Sequence, residues 1–137
     1  MTADELETTH GQLSTHFDWS EVTCNHCGQL PAQLADEAKK QAVFMEKVRA
    51  LFALPIHINS WYRCPVWNAK VGGADHSYHM KAQACDITIK SMTPAAVQKK
   101  LRGHFGKNGF VKGLGQYRGF THTDERGGTG TPVKWNG

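Results

Sequence analysis

The chain has 137 residues, 39% of them apolar, with 16 Lys and Arg against 12 Asp and Glu for a formal charge of +4. A chain of this length suits one compact domain that buries about two-thirds of its unfolded surface, so residues 1–137 are expected to form a single domain and a monomer. No run approaches the roughly 20 apolar residues of a membrane span, and no recognition helix or aromatic RNA-binding strand points to nucleic acid.

Met1 to Glu7 are acidic and polar, the opposite of a secretory leader, so the expected starting compartment is the cytoplasm. Residues 1–30 read as an irregular arm anchored by Leu13, Phe17, Trp19 and Val22. Within the arm, Cys24-Asn25-His26-Cys27 is a lone CxxC, whereas a structural zinc site normally needs further ligands. Three readings stay open for these cysteines and for Cys64 and Cys85: free thiols, a disulfide, or an extra metal site.

From Pro31 to Ala53 the spacing is helical, with Leu34, Ala38, Met45, Val48 and Phe52 near one face and Pro55 just beyond the end. Lys39-Lys40 here, and Lys99-Lys100 later, read as solvated helix faces. Ile56 to Tyr62 alternates like a strand, with Ile56, Ile58, Ser60 and Tyr62 on one side. Gly72-Gly73 marks a turn into the segment that holds Ser77 and His79. Asp86 to Ile89 is a short β-prone run, and Thr93-Pro94 starts a helix expected to reach Phe105. Short strands are expected over Phe110 to Gly115 and Phe120 to Asp124. Helices and strands do not alternate as βαβ units, so the expected class is α+β, a small antiparallel sheet flanked by helices.

The chemistry-bearing residues cluster late in the chain, as Ser77-x-His79, then Ala84-x-Asp86, then Phe120-x-His122-x-Asp124. Catalytic zinc takes three ligands from His and carboxylate and keeps a fourth position open, and His79, Asp86 and His122 supply that set. Strand alternation puts His122 and Asp124 on one face. An HxD pair alone, in a chain with eight histidines, is more often a surface feature.

The flanking residues carry more weight. Over about residues 55–126 the chain resembles the M15 peptidases, a family of D-alanyl-D-alanine carboxypeptidases and cell-wall endopeptidases with a Hedgehog-like fold. Ser60-Trp61-Tyr62-Arg63 is similar to the family's S-x-Y-R strand, and Asn68 with Val71-Gly72-Gly73-Ala74 to its N-x-x-V-G-G-A turn. Ser77 through Asp86 is similar to its S-x-H-x-x-G-x-A-x-D motif, and Gly113-x-Gly115-x-Tyr117 with Phe120 to Asp124 to its closing block. Lys134-Trp135 is a weaker echo of an Arg-Trp near the family's end.

The resemblance implies one zinc per chain on His79, Asp86 and His122, with Arg63 in the cleft. A guanidinium there suits a substrate carboxylate or a developing oxyanion. Ser77 and Tyr117 are expected to contact substrate, Ser77 by hydrogen bonding rather than as a nucleophile. Two positions depart from the family: Ala82 replaces the usual glycine, and Gly119 stands where many members carry the general base. Asp124 then has two possible roles, as that base or as a group that orients a ligand, with His76 and Tyr117 as further candidates for the base. The function implied is hydrolysis of peptidoglycan peptides by a phage or prophage lysis enzyme that acts on the wall after release. The alternative is a zinc-containing binding module of the same fold without turnover.

Overall fold

A computed structural model describes residues 11–137, so the start of the arm lies outside the described residues. Three α-helices and one five-stranded sheet are found among the described residues. The helices are α1 (Ala35–Phe52), α2 (Pro65–Lys70) and α3 (Pro94–Arg102). The strands are β1 (His57–Ser60), β2 (Cys85–Thr88), β3 (Gly113–Gln116), β4 (Thr121–Asp124) and β5 (Val133–Asn136), in the order β1-β2-β4-β3-β5. The first four strands pair antiparallel, and β5 joins the edge parallel to β3.

Pro31 opens a 3₁₀ turn over Ala32–Leu34 before α1 begins. The helix buries Ala38, Ala42, Phe44, Met45, Val48 and Phe52, close to the stripe its spacing predicts. Gln41 joins that stripe and donates from Nε2 to Cys85 Sγ at 3.6 Å, which docks α1 on β2. The Thr93 hydroxyl accepts from the Ala96 N–H at 3.1 Å and caps α3 as expected. That helix ends at Arg102, short of Phe105. From it, Gln98 reaches Thr121 of β4. Both long helices therefore cover the sheet face that carries Cys85, Ile87 and Thr121. The opposite face carries Asp86, His122 and Asp124.

Two elements escape the sequence reading. Cys64-Pro65 starts the short α2, with the Cys64 sulfur accepting from the Trp67 N–H and proline in the first turn. β5 is too short and too polar to show a pattern, and it exists through its pairing with β3. The expected strand over Ile56 to Tyr62 also shortens. Ile58 faces Ile87 and Ser60 faces Asp86, so the register shifts at Asn59 and the alternation stops there.

The arm contributes Phe17, Trp19, Val22, Cys24 and Leu30 to the same buried cluster as α1 and the sheet. Leu13 packs at its margin. The Tyr62 N–H donates to the Val22 carbonyl at 2.9 Å, joining the arm to the segment after β1. No helix among the described residues is long and apolar enough to cross a membrane.

Ala53 closes α1 in the left-handed region, with φ 53° and ψ 32°, and its methyl is exposed. Glycine is the residue that adopts this conformation without penalty. Ala53→Gly should raise stability by about 0.5–1 kcal/mol, the left-handed penalty less the extra freedom of glycine in the unfolded chain. Urea unfolding midpoints measure this, and a lower midpoint would show that the exposed methyl contributes packing instead.

Candidate metal centre

Asp86 sits in β2 directly opposite His122 in β4, so two of the three expected ligands meet by strand register. His79 arrives from a different direction, on the 3₁₀ turn Tyr78–Lys81. Ser77 caps that turn, its hydroxyl accepting from the His79 N–H at 3.2 Å. Ala82 ends it with φ 58° and ψ 25°. A left-handed residue here explains why the family motif has glycine at this position, and Ala82 adopts the conformation despite its Cβ. The turn is braced from the side: the Arg63 N–H donates to the His79 carbonyl at 3.0 Å, and Trp61 Nε1 donates to the Ala82 carbonyl at 2.9 Å.

The three side chains converge on one oxygen. Asp86 Oδ1 lies 3.1 Å from His79 Nε2 and 3.3 Å from His122 Nδ1, and all three residues are buried. The outer nitrogens are already committed. His79 Nδ1 is 2.7 Å from the Trp61 carbonyl, which can only accept, so Nδ1 holds the proton and Nε2 presents a lone pair inward. His122 Nε2 donates to Asp124 Oδ2 at 2.5 Å, which turns Nδ1 inward in the same way.

Charge follows the same plan. Burial holds the His79 imidazole below its ordinary pKa, against the pull of Asp86. For His122, burial also depresses the pKa, but the neighbouring carboxylates of Asp124 and Asp86 outweigh it and the net direction is upward. Burial works to raise the Asp86 pKa, and the close approach of the His122 and His79 rings reverses this and holds the carboxyl well below the carboxylate range. The result is an ionised carboxylate between two imidazoles whose outer N–H groups are tied down. One donor atom from each residue lies within 4.8 Å of the others, a group able to hold a metal ion. Two oriented imidazoles and one carboxylate fit zinc, and the outer hydrogen bonds are those that metal-bound histidines make.

Asp124 lies behind this group. It is fully buried on the far side of the His122 ring from Asp86, and its Oδ1 accepts from the Arg126 N–H at 2.7 Å. Space for it comes from β3. Gly113 pairs with Asp124 and Gly115 with His122. A Cβ at Gly113 would overlap the Asp124 carboxylate, and one at Gly115 would press on Trp135 and Tyr117. The G-x-G spacing is thus a row of vacated side chains beneath the His122-x-Asp124 pair.

Arg63 stands beside the group. Its Nη2 is 3.2 Å from Asp86 Oδ2, and its Nη1 donates to Asn68 Oδ1 at 3.0 Å. A cavity of about 520 Å³ opens over the three ligands, and Arg63, His76, Ser77 and Tyr117 all line it. Trp67, Tyr78, Arg126 and Trp135 add aromatic and cationic surface that the sequence reading did not assign to substrate. Trp135 lies 4.8 Å from the His122 ring and donates from Nε1 to the Tyr117 hydroxyl at 2.8 Å. Its only sequence signal is the weak Lys134-Trp135 echo. Gly119 lies in the exposed turn between β3 and β4.

The family model described as Peptidase M15 matches residues 2–124. The chain belongs to the M15 peptidases. No curated protein matches it. M15 peptidases are zinc-dependent hydrolases, and the three-residue group at the floor of the cavity suits that metal.

Gly113→Ala tests the role of the vacated row. The added methyl should displace the buried Asp124 carboxylate and lower stability by about 1–3 kcal/mol, as overpacking does. Urea unfolding reads the loss, and an unchanged midpoint would show that β3 can shift to admit the methyl.

Proposed function

We propose that this M15 peptidase holds one zinc on His79, Asp86 and His122 and hydrolyses amide bonds in peptidoglycan peptides, next to D-amino acids, as a phage or prophage lysis enzyme. The observation that carries the reading is the convergence of His79 Nε2 and His122 Nδ1 on Asp86 Oδ1 with both outer nitrogens tied down. Zinc bound there supplies Lewis-acid activation of water and of the scissile carbonyl. The peptidoglycan substrate is drawn from the family resemblance. An open cavity with two guanidiniums, Arg63 and Arg126, suits a peptide rich in carboxylates.

The chain's own residues then divide the work. Arg63 is already anchored by Asn68 and Asp86, and its buried Nε has no hydrogen-bond partner. A guanidinium held in this way is preorganised to receive a substrate carboxylate or the oxygen that gains charge during hydrolysis. Tyr117 and Trp135 form a wall in which the Tyr117 ring stacks on Phe120 with centroids 4.4 Å apart. Ser77 supports the His79 turn from the cavity side. Asp124, buried and bonded to His122 and Arg126, orients His122 and fixes which nitrogen faces the metal. Of the groups lining the cavity, His76, Tyr78 and Tyr117 remain to carry the proton.

Digestion of purified peptidoglycan, with and without chelator and with mass spectrometry of the fragments, tests the function. Peptide fragments that vanish with chelator and return with zinc are expected. Binding without fragments would identify a binding module of the same fold instead.

Asp124→Asn separates orientation from proton transfer. With Asp124 as the orienting group, zinc affinity should fall by roughly 10–100-fold and added zinc should restore much of the turnover. Unchanged zinc affinity with turnover reduced by roughly 10²–10⁴-fold would make Asp124 the general base.

A further inference from the structure

The metal centre uses no cysteine, yet three of the four cysteines meet elsewhere. Cys24 and Cys27 lie on the arm, and Cys64 caps α2. One sulfur from each lies within 4.8 Å of the other two, and none is bridged. Tetrahedral zinc with Zn–S of about 2.3 Å spaces its sulfurs by about 3.8 Å, so the cluster needs to close by about 1 Å at most.

The backbone around the sulfurs is shaped for anions. Gly28 follows Cys27 with φ +68°, and its N–H donates to the Cys24 carbonyl at 2.8 Å, folding the loop back on itself. The Cys64 N–H points at Cys24 Sγ, and the Trp67 N–H at Cys64 Sγ, each at 3.4 Å. Burial acts to raise the Cys24 pKa, but backbone N–H groups of Cys64, Cys27 and His26 outweigh it and lower the thiol. Cys27 moves the other way, raised by burial and by the hydrogen bond and charge of Cys24.

His26 lies outside this group of three sulfurs but reaches one of them. His26 Nδ1 is 3.9 Å from Cys64 Sγ, and the imidazole stacks on the Trp67 indole with centroids 5.3 Å apart and the planes parallel to within 1°. We propose that Cys24, Cys27 and Cys64, completed by His26, bind a second zinc ion that staples the N-terminal arm to the wall of the cleft. Three thiolates and an imidazole are a closed structural donor set, with no position left for substrate. The staple lies beside the cavity: Cys64 follows Arg63 in the chain, and Asn25, Arg63 and Trp67 all line the cleft. Asn25 also donates to the Asn59 carbonyl at 2.8 Å, where β1 loses its alternation.

Elemental analysis and cobalt substitution of the full chain test the proposal. Wild type purified with zinc should carry two ions. Replacement by cobalt should give the intense near-ultraviolet thiolate-to-cobalt band, which the His79, Asp86 and His122 centre cannot produce. His79→Ala should retain one ion and the full thiolate band, whereas Cys27→Ser should lose that band and keep the cleft ion. The spectrum of wild type alone decides the matter should a variant fail to fold. Absence of the thiolate band with four reactive thiols would overturn the proposal, as would an intact mass short by two hydrogens, the mark of a disulfide. Loss of peptidase activity has no bearing on this readout, so it stands or falls apart from the function proposed above.

Discussion

The antiparallel pairing of β2 with β4 sets Asp86 opposite His122, and the rest of the site is built around that one register. A one-residue slip of either strand would turn its own site residue, Asp86 or His122, to the helix-covered face and bring Cys85 or Thr123 toward the cavity. The core residues guard against such a slip. Cys85, Ile87, Thr121 and Thr123 are wholly buried on the face that meets α1 and α3, so the register that fills the core also turns Asp86 and His122 to the cavity. Stability and site geometry thus have a single origin in the alternation of two four-residue strands.

His79 lies outside this register and is held by different means. It sits on a single 3₁₀ turn, too short to be stable alone, and the segment Trp61 to Arg63 braces it with one ring contact and two backbone contacts. Trp61 does most of this: its carbonyl fixes the tautomer of His79, its indole N–H binds Ala82, and its ring is fully buried against the arm residue Phe17 with centroids 6.2 Å apart. The arm therefore supports His79 through Trp61. Through the Cys24, Cys27 and Cys64 cluster it also meets the chain next to Arg63. Packing far from the cavity and chemistry within it share these few residues.

Space on the site face is as important as contact. Gly113 and Gly115 leave room beneath Asp124, His122 and Trp135, and the Asp124 carboxylate that meets His122 is buried where an ordinary strand would place a Cβ. That choice weakens β3 as a strand in its own right, since glycine contributes no side-chain packing. Its pairing with both β4 and β5 compensates.

Much of this was legible in the residues themselves. The α1 stripe, the Thr93-Pro94 start of α3 and the shared face of His122 and Asp124 follow from local periodicity and residue chemistry, which need no partner strand, whereas the set His79, Asp86 and His122 was named from residue types together with the family resemblance. The boundaries, the bulge at Asn59, the short α2 and the parallel β5 were not legible, because pairing and burial set them against weak local signals. The ring nitrogen that Asp124 meets was open for the same reason. Alternation places Asp124 on the side of His122 but says nothing about which ring nitrogen it meets, and the fold turns Nε2 toward it and Nδ1 toward Asp86. The cysteines show the limit most clearly: a lone CxxC carries little meaning until folding brings Cys64 to it across 40 residues from Cys24. Local sequence determines which atoms can act; only tertiary structure decides which of them meet, because proximity between distant residues is a property of packing and not of spacing.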